Sequence, residues 1–572
     1  MIGNGAVARG LYEAGCRFVS SYPGTPSTEI TEYAAEYDGM YAEWAPNEKV
    51  AVEAAIGASI GGARAFAAMK HVGLNVAADP VFTASYCGVN GGLVIAAADD
   101  QGMHSSQNEQ DSRHYAAAAK VPMLEPADSS ECLEFTKLAF DISERFDVPV
   151  FLRLSTRIAH SQSLISLSER EEREPKEYVK NPQKYVMAPA NARARRVLVD
   201  KREGELRGFA ETTGLNKIEW NSKKIGVITS GAAYQYAKEA LGENASYLKL
   251  GLVYPLPEKK IIDFAKEVEA LYIIEELEDI IEAHCKKLGL ECKGKELFSL
   301  IGEYTPEMIS MQLLGRSMGA GTGVSVPNRP PVLCPGCPHR GMFYLLSKLK
   351  LTVSGDIGCY TLGASPPLGA MDSTICMGAS IGVLHGLSHV RPELADRAVA
   401  VIGDSTFIHS GITGLVNIVY NQSPVTVIIL DNSITAMTGH QQNPATGHTL
   451  QGKTAPVLDL EAVCGGVGVK RVRTVDPFDL EGTERVIKEE LAAREPSVII
   501  AKRPCVLLKD VKKEAPLKIN AGKCTKCKVC QRVGCPAIVM GEGAMTIDTT
   551  LCVGCGLCAS VCKFNAIEKG DA

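Results

Sequence analysis

The sequence predicts a multidomain α/β protein built on parallel sheets and closed by a small cysteine-rich α+β unit. Three observations carry this. The 572 residues, 45% of them apolar, exceed what one core organises and supply several. Short apolar strands alternate with helical stretches in three successive regions. The last fifty residues hold eight cysteines, most of them at two-residue gaps.

Up to about Arg157, strands such as "VPVFLRL" alternate with helical stretches such as "NEKVAVEAAIGASIGGARAFAAM", so residues 1–165 read as a parallel sheet flanked by helices. The charged stretch "SEREEREPKEYVKNPQKY" lacks an apolar period, and residues 166–222 read as a linker or surface excursion. A second α/β unit, 223–300, opens at "KKIGVITSGAAYQYAKEAL", where a strand meets a Gly turn and an amphipathic helix. Residues 301–330 read as a linker whose Pro/Gly-rich end, "SVPNRPPVLCPGCPHRG", enters a third α/β unit over 331–510. "KDVKKEAPLK" then leads into the cysteine-rich unit, 511–572.

The net charge of −6 and the dispersed Lys and Arg residues argue against nucleic acid and for small metabolites and proteins as partners. The start lacks a charged segment followed by an apolar one, and no run of eighteen apolar residues follows. No membrane association and a cytoplasmic location are expected. Nineteen cysteines grouped at short gaps suit thiolates on metal centres in a reducing compartment better than disulfides.

Cys524, Cys527 and Cys530 form one C-x2-C-x2-C run, with Cys535 beyond it; Cys552, Cys555, Cys558 and Cys562 form another. In two-cluster bacterial ferredoxins the fourth cysteine of each run ligates the other cluster. That rule assigns Cys562 to the first run's [4Fe-4S] cluster and Cys535 to the second's. Zinc also accepts thiolates, but duplicated triplets with crossed fourth ligands are the more specific sign of clusters. The first run has four residues before its fourth cysteine where three are usual.

"RAVAVIGDSTF" places Gly403, Asp404 and Ser405 at the end of a buried strand, and "PVTVIILDNSIT" places Asn432 at the end of another. Ligands of open parallel sheets bind at such ends. Asp404, Asn432 and a backbone carbonyl near Ile434 offer the hard oxygen donors that Mg2+ on a diphosphate requires. The pair of segments resembles the thiamine diphosphate motif, with Ser405 for its last Gly and Asp431 for its first Asn. Thiamine enzymes also need a carboxylate against the aminopyrimidine ring, and Glu48, at the start of an Ala-rich helix, suits that role.

Together with "SYPGTPSTEI", "NEKVAVEAAIGAS", "MKHVGLNVAADP", "DDQGMHSSQNEQDSR", "CPGCPHRG" and "GDIGCYTLG", these segments resemble, over nearly the whole chain, the alpha subunits of indolepyruvate ferredoxin oxidoreductases. Those belong to the thiamine diphosphate-dependent 2-oxoacid:ferredoxin oxidoreductase superfamily. The resemblance implies a pyrimidine-binding domain (1–165), a transketolase C-terminal-like domain (223–300), a diphosphate-binding domain (331–510) and a two-[4Fe-4S] ferredoxin-like domain (511–572). It implies that Glu48 is the aminopyrimidine carboxylate and that Tyr22 and Thr25 face the 2-oxoacid. It implies oxidative decarboxylation of an arylpyruvate to an aryl-acetyl-CoA, with coenzyme A as acyl acceptor, CO2 released and external ferredoxin reduced.

A gamma-type domain of the superfamily has no counterpart in the sequence, so a separate beta subunit is expected, in a heteromer built on a homodimer of this chain. Relatives also hold a cluster beside the thiamine through a Cys pair, a single Cys and a Pro-Cys; Cys334, Cys337, Cys359 and Cys505 recur in that order, against the alternative of buried apolar thiols. His104, Gln107 and Arg113 lie in a polar loop where Arg113 could pair with a substrate carboxylate, or the loop is simply solvated. Two further readings are a non-oxidative thiamine decarboxylase, which leaves the cysteine tail without a purpose, and a non-catalytic iron–sulfur electron carrier, which leaves Glu48, Asp404 and Asn432 without one.

Overall fold

Continuous apolar runs rich in Ala, Val and Ile become strands covered on both faces, as parallel sheets require. In the computed structural model, which describes residues 1–319, 325–327, 329–541 and 543–570, they fall into two units, Met1–Ser325 and Val326–Ala572. The strands of the first unit are β1 (Phe18–Ser21), β2 (Tyr41–Trp44), β3 (Ala65–Lys70), β4 (Leu93–Asp99), β5 (Met123–Leu124), β6 (Val150–Ser155), β7 (Lys217–Glu219), β8 (Ile225–Ser230), β9 (Ser246–Leu250), β10 (Leu252–Tyr254) and β11 (Ala270–Ile274). Every residue of β3, β4 and β6 is buried.

Seven of these strands form one sheet in the order β10-β5-β6-β4-β3-β1-β2, parallel except for β10. The chain steps from β1 out to β2 and returns to β3 on the other side of β1. The crevice between the carboxyl ends of β1 and β3 is therefore a topological switch point, where open α/β sheets bind ligands. A second sheet, β11-β8-β9-β7, carries the next α/β layer.

The first unit corrects three expectations. Residues 166–222 include a 24-residue helix, Pro189–Thr212, packed on the first layer. Its buried stripe is Arg195, Val199, Arg202, Leu206 and Ala210, a helical period carried partly by arginines and so invisible to an apolar count. Arg202 Nη2 donates to the Ser85 carbonyl at 2.8 Å, and Arg195 Nη2 to Asp147 Oδ2 at 2.9 Å. Next, β10, inside the expected second unit, pairs antiparallel with β5 of the first sheet. Lastly, the expected linker 301–330 begins as core: Tyr304 and Ile309 pack with Phe298, Tyr234 and Ala237, and the helix Pro306–Leu314 lies against Gly231–Leu241. Residues 320–324 and 328 of that linker lie outside the described residues.

The second unit holds a parallel sheet of β12 (Thr352–Gly355), β13 (Ser373–Thr374), β14 (Ala398–Gly403), β15 (Thr426–Asp431), β16 (Arg471–Val475) and β17 (Ser497–Lys502), ordered β13-β12-β14-β15-β17-β16. Side chains alternate across it. Val399 and Val401 join Met342, Phe343 and Leu346 on one face, while Ala400 and Ile402 join Ile381, Leu384 and Ile418 on the other. Here the chain steps from β12 to β13 and returns at β14, so the switch point lies between β12 and β14. The cysteine-rich tail adds two antiparallel ribbons, β18 (Leu517–Ile519) with β21 (Ile567–Lys569) and β19 (Ile538–Met540) with β20 (Met545–Ile547), around a small core that includes Val533, Leu557 and Val561. No helix among the described residues is long and apolar enough to cross a membrane.

Candidate functional site

At the first switch point, β1 delivers the loop with Tyr22, which is buried, and Thr25, which is half-buried; β3 delivers Lys70 and His71 opposite them. The two strand ends are close, since a β-carbon on Gly24 would stand 3.2 Å from that of Lys70. Beyond β2, Asn47 caps the helix Glu48–Ile60, its side chain accepting from the Val50 N–H at 2.9 Å. That cap fixes Glu48 at the first helical position, where it is buried. The helix His71–Cys87 closes on this carboxylate through Gly73, where a β-carbon would lie 2.5 Å from Glu48 Oε1.

Lys70 and His71 also fold the polar loop over the strand ends: Lys70 Nζ bonds the Ser105 carbonyl, and His71 Nε2 lies 3.2 Å from the Asn108 carbonyl. Burial pushes the Lys70 ammonium down to about 8 and lowers His71 below its ordinary range. Of the three residues expected to face substrate here, Gln107 is exposed and His104 Nε2 lies 2.9 Å from Glu303 Oε2. Arg113 requires a correction. It is buried, with Nε and Nη2 on the Asp111 carboxylate (2.6 to 3.1 Å), Nη1 on Glu275 Oε2 at 2.6 Å, and Nη2 also on the Glu276 and Glu278 carbonyls. The bidentate partner foreseen for this guanidinium is the protein's own Asp111, and Arg113 acts as a structural tie.

At the second switch point, β14 ends at Gly403 and delivers Asp404, while its neighbour β15 ends at Asp431 and delivers Asn432. Gly403 is required by Tyr360, whose ring would meet a β-carbon there at 2.6 Å. The turn after β15 forms because Asp431 Oδ1 accepts from the Ser433 N–H at 2.9 Å, with Ser433 in left-handed backbone at φ 59. That turn buries Asn432 and Ile434 beside Ser405, whose Oγ accepts from Thr435 Oγ1 at 3.0 Å.

Asp404 is buried, and its Oδ2 has no hydrogen-bond partner among the described residues. Burial, and then the nearby Asp431, push its carboxyl up to about 7, although the Asn443 side chain bonds to it. A buried carboxylate with one bare oxygen and an acidic neighbour fits a divalent cation. Asn443 was missed by sequence reasoning, since only the folded loop brings it to Asp404. Asp356, after β12, was also missed as a site-shaping residue; its carboxylate accepts from the Ile357, Gly378 and Ser380 N–H groups at 2.8 to 2.9 Å. A Gly-Asp pair at a strand end was the available signal.

The same unit gathers three sets of thiols. Cys359 is pushed up to about 11 by burial, then by Cys505 and Cys334; Cys337 is pushed up to about 12 by burial, with Cys359 and Cys334 adding to it. Those four are thus electrostatic neighbours, and the Cys505 N–H donates to the Asn432 carbonyl at 2.9 Å, next to the diphosphate-type crevice. In the tail, an outer cavity is lined by Cys524, Cys527, Cys530 and Cys562. An inner cavity is lined by Cys535, Cys552, Cys555 and Cys558 together with Pro335, Gly336 and Arg340. The two linings divide the eight tail cysteines four and four, Cys562 falling in the first and Cys535 in the second. Backbone N–H groups of Leu517 and Ala566 reach Cys552 Sγ and Cys562 Sγ at 3.4 Å, as sulfur ligands of clusters are commonly bonded.

A switch-point crevice with an uncompensated carboxylate, beside grouped thiols and a duplicated cysteine tail, defines a thiamine diphosphate-type enzyme coupled to iron–sulfur electron transfer. Residues 9–225 match the family of the thiamine diphosphate-binding region of pyruvate flavodoxin/ferredoxin oxidoreductases, residues 356–501 the C-terminal binding domain of thiamine pyrophosphate enzymes, and residues 545–568 the 4Fe-4S binding domain. Indolepyruvate oxidoreductase subunit IorA of Archaeoglobus fulgidus is 38% identical, covering 100% of this chain and 97% of its own. The IorA of Pyrococcus horikoshii is 40% identical over 100% of this chain and 96% of its own, and that of Methanothermobacter thermautotrophicus 39% identical over 99% and 97%. The chain belongs to the family of indolepyruvate oxidoreductase subunit IorA. It is a thiamine diphosphate-dependent 2-oxoacid oxidoreductase that carries electrons through iron–sulfur clusters.

Proposed function

We propose that this chain is the alpha subunit of an indolepyruvate:ferredoxin oxidoreductase, taking indolepyruvate and related arylpyruvates with coenzyme A to aryl-acetyl-CoA and CO2 while an external ferredoxin is reduced. The names of the relatives support the substrate. The observation that carries the reading is continuity within the second unit. The Asp404 crevice touches Cys505 through Asn432, and the Cys334–Cys337 loop lies against the inner tail cavity.

Thiamine diphosphate, when bound, supplies the electron sink for loss of CO2 from a 2-oxoacid. Asp404, Asn432 and the Ile434 carbonyl would hold Mg2+ on its diphosphate, with Gly403 and Ser405 shaping the cradle. Glu48 would hold the ring-nitrogen proton, its position fixed by the Asn47 cap and by Gly73. Tyr22 and Thr25 would orient the 2-oxoacid. The two tail cavities would each hold a [4Fe-4S] cluster, and Cys334, Cys337, Cys359 and Cys505 a third. A separate beta (gamma-type) subunit would complete a heteromer built on a dimer of this chain. The domain division proposed is 1–165, 223–300 extended by the helix 306–314, 331–510 and 511–572.

The test is anaerobic reduction of a viologen dye by the chain with its beta subunit, Mg2+ and thiamine diphosphate, on indolepyruvate as coenzyme A is added. Reduction that needs both the oxoacid and coenzyme A is expected. CO2 release without dye reduction would give a non-oxidative decarboxylase instead. Iron near about twelve per chain supports the third cluster, and about eight removes it.

A further inference from the structure

The two cysteine runs of the tail share a spacing but differ at two backbone positions. In the inner run Gly554 and Gly556 flank Cys555 in left-handed backbone, at φ 70 and 81. In the outer run the same two positions around Cys527 are Lys526 and Lys528, at φ 56 and 60. A β-carbon in that region costs roughly 1–2 kcal/mol per residue. The loop itself does not require lysine, because its sibling is built with glycine. Strain kept on both sides of Cys527 points to a use for the two charges.

The surroundings say what the use is. The inner cavity is walled by Pro335, Gly336 and Arg340, and a β-carbon on Gly336 would stand 3.6 Å from Cys555 Cβ. That side faces the four thiols beside the Asp404 crevice. The outer cavity is lined by Thr525, Lys528 and Phe564, and Cys527, Lys526, Lys528, Lys563 and Phe564 are exposed. Among the described residues Lys523 is tied to Glu568, whereas Lys526, Lys528 and Lys563 have no such partner. Residues 511–570 contain nine Lys and Arg against four Asp and Glu, on a chain whose net charge is −6.

We propose that electrons leave through the outer cavity and that Lys526, Lys528 and Lys563, around the exposed Phe564, dock an acidic one-electron carrier protein. This rests on the reading that both cavities hold clusters. One electron passes from the outer cluster, which is oxidised, to the carrier's centre, which is reduced; no bond is made or broken and no proton moves. A positive rim on a negative protein attracts an acidic carrier to this end and repels it elsewhere.

The experiment uses the holoenzyme with its beta subunit and two double variants, Lys526→Gly/Lys528→Gly, which copies the sibling loop, and Lys526→Gln/Lys528→Gln. Binding of a fluorescently labelled acidic two-cluster bacterial ferredoxin is measured by anisotropy across a salt series, with cluster EPR and viologen reduction in parallel. Expected is a Kd about tenfold higher in both variants and a flattened salt dependence, with EPR signals and dye reduction kept. Equal Kd and equal salt dependence in parent and variants would overturn the proposal. So would binding of parent protein to phosphatidylglycerol vesicles without any binding of ferredoxin. Failure of the parent holoenzyme to reduce dye from an oxoacid would count against the function proposed above, and the anisotropy would still decide the docking.

Discussion

Two parallel sheets in this chain reverse strand order in the same way, β1 to β2 and back to β3, and β12 to β13 and back to β14, yet the residues they present differ in charge. The first crevice offers Lys70 and His71, both held toward their neutral forms by burial, with the buried Glu48 and with Asp100 and Asp99 acting on the two bases. The second gathers Asp356, Asp404 and Asp431, with Lys502 Nζ only as near as 3.7 Å to Asp431. The strand reversal recurs in both units, and the side chains at the strand ends give each crevice its own charge. On the function proposed above, the acidic crevice would take a cation-bound diphosphate and the Glu48 crevice a heteroaromatic ring that needs one proton controlled.

The largest effect should come from the acidic crevice. Asp404→Ala is expected to lower turnover about a thousandfold or more and to prevent retention of thiamine diphosphate and Mg2+ on gel filtration. Retained cofactor would break the comparison. Glu48→Gln should be smaller, about a hundredfold to ten-thousandfold in turnover, with the cofactor still retained; loss of cofactor there would mean that both crevices anchor rather than divide the work. The smallest effect is on the stability of the cofactor-free protein. Burial, and then the nearby Asp431, push the folded Asp404 carboxyl up to about 7 from its ordinary 3.8. The folded state therefore keeps a proton that the unfolded chain releases, and stability falls as pH rises between those values. Asp404→Asn should match the parent at pH ~4 and exceed it above pH ~7 by on the order of 4 kcal/mol, read from denaturant midpoints.

What was legible in the sequence was whatever depends on neighbours along the chain. The two-residue gaps of the cysteines fix loop geometry locally, so the two runs were legible, whereas the crossed assignment of Cys535 and Cys562 came from likeness to two-cluster ferredoxins. Gly403-Asp404 and Asp431-Asn432 were legible as ends of apolar runs. The illegible part depends on distant pairing. Asn443 reaches Asp404 only because the loop after β15 folds back, and Arg113 is consumed by Glu275, which lies 162 residues away. The helix Pro189–Thr212 was hidden because arginines, whose donors find backbone carbonyls, occupy places that a hydrophobic period would fill.

Strand β10 has a consequence for how the chain is made. It closes the β5 edge of the first sheet, but it lies almost a hundred residues beyond the end of β6 at Ser155. At translation rates of about 5–20 residues per second, the sheet waits on the order of 5–20 s on the ribosome with β5 unpaired on its outer side. During that interval the backbone N–H and C=O groups of β5 are open to any strand that arrives first, so the Met1–Ser325 unit is most exposed to mispairing before its own Leu252–Tyr254 has left the exit tunnel.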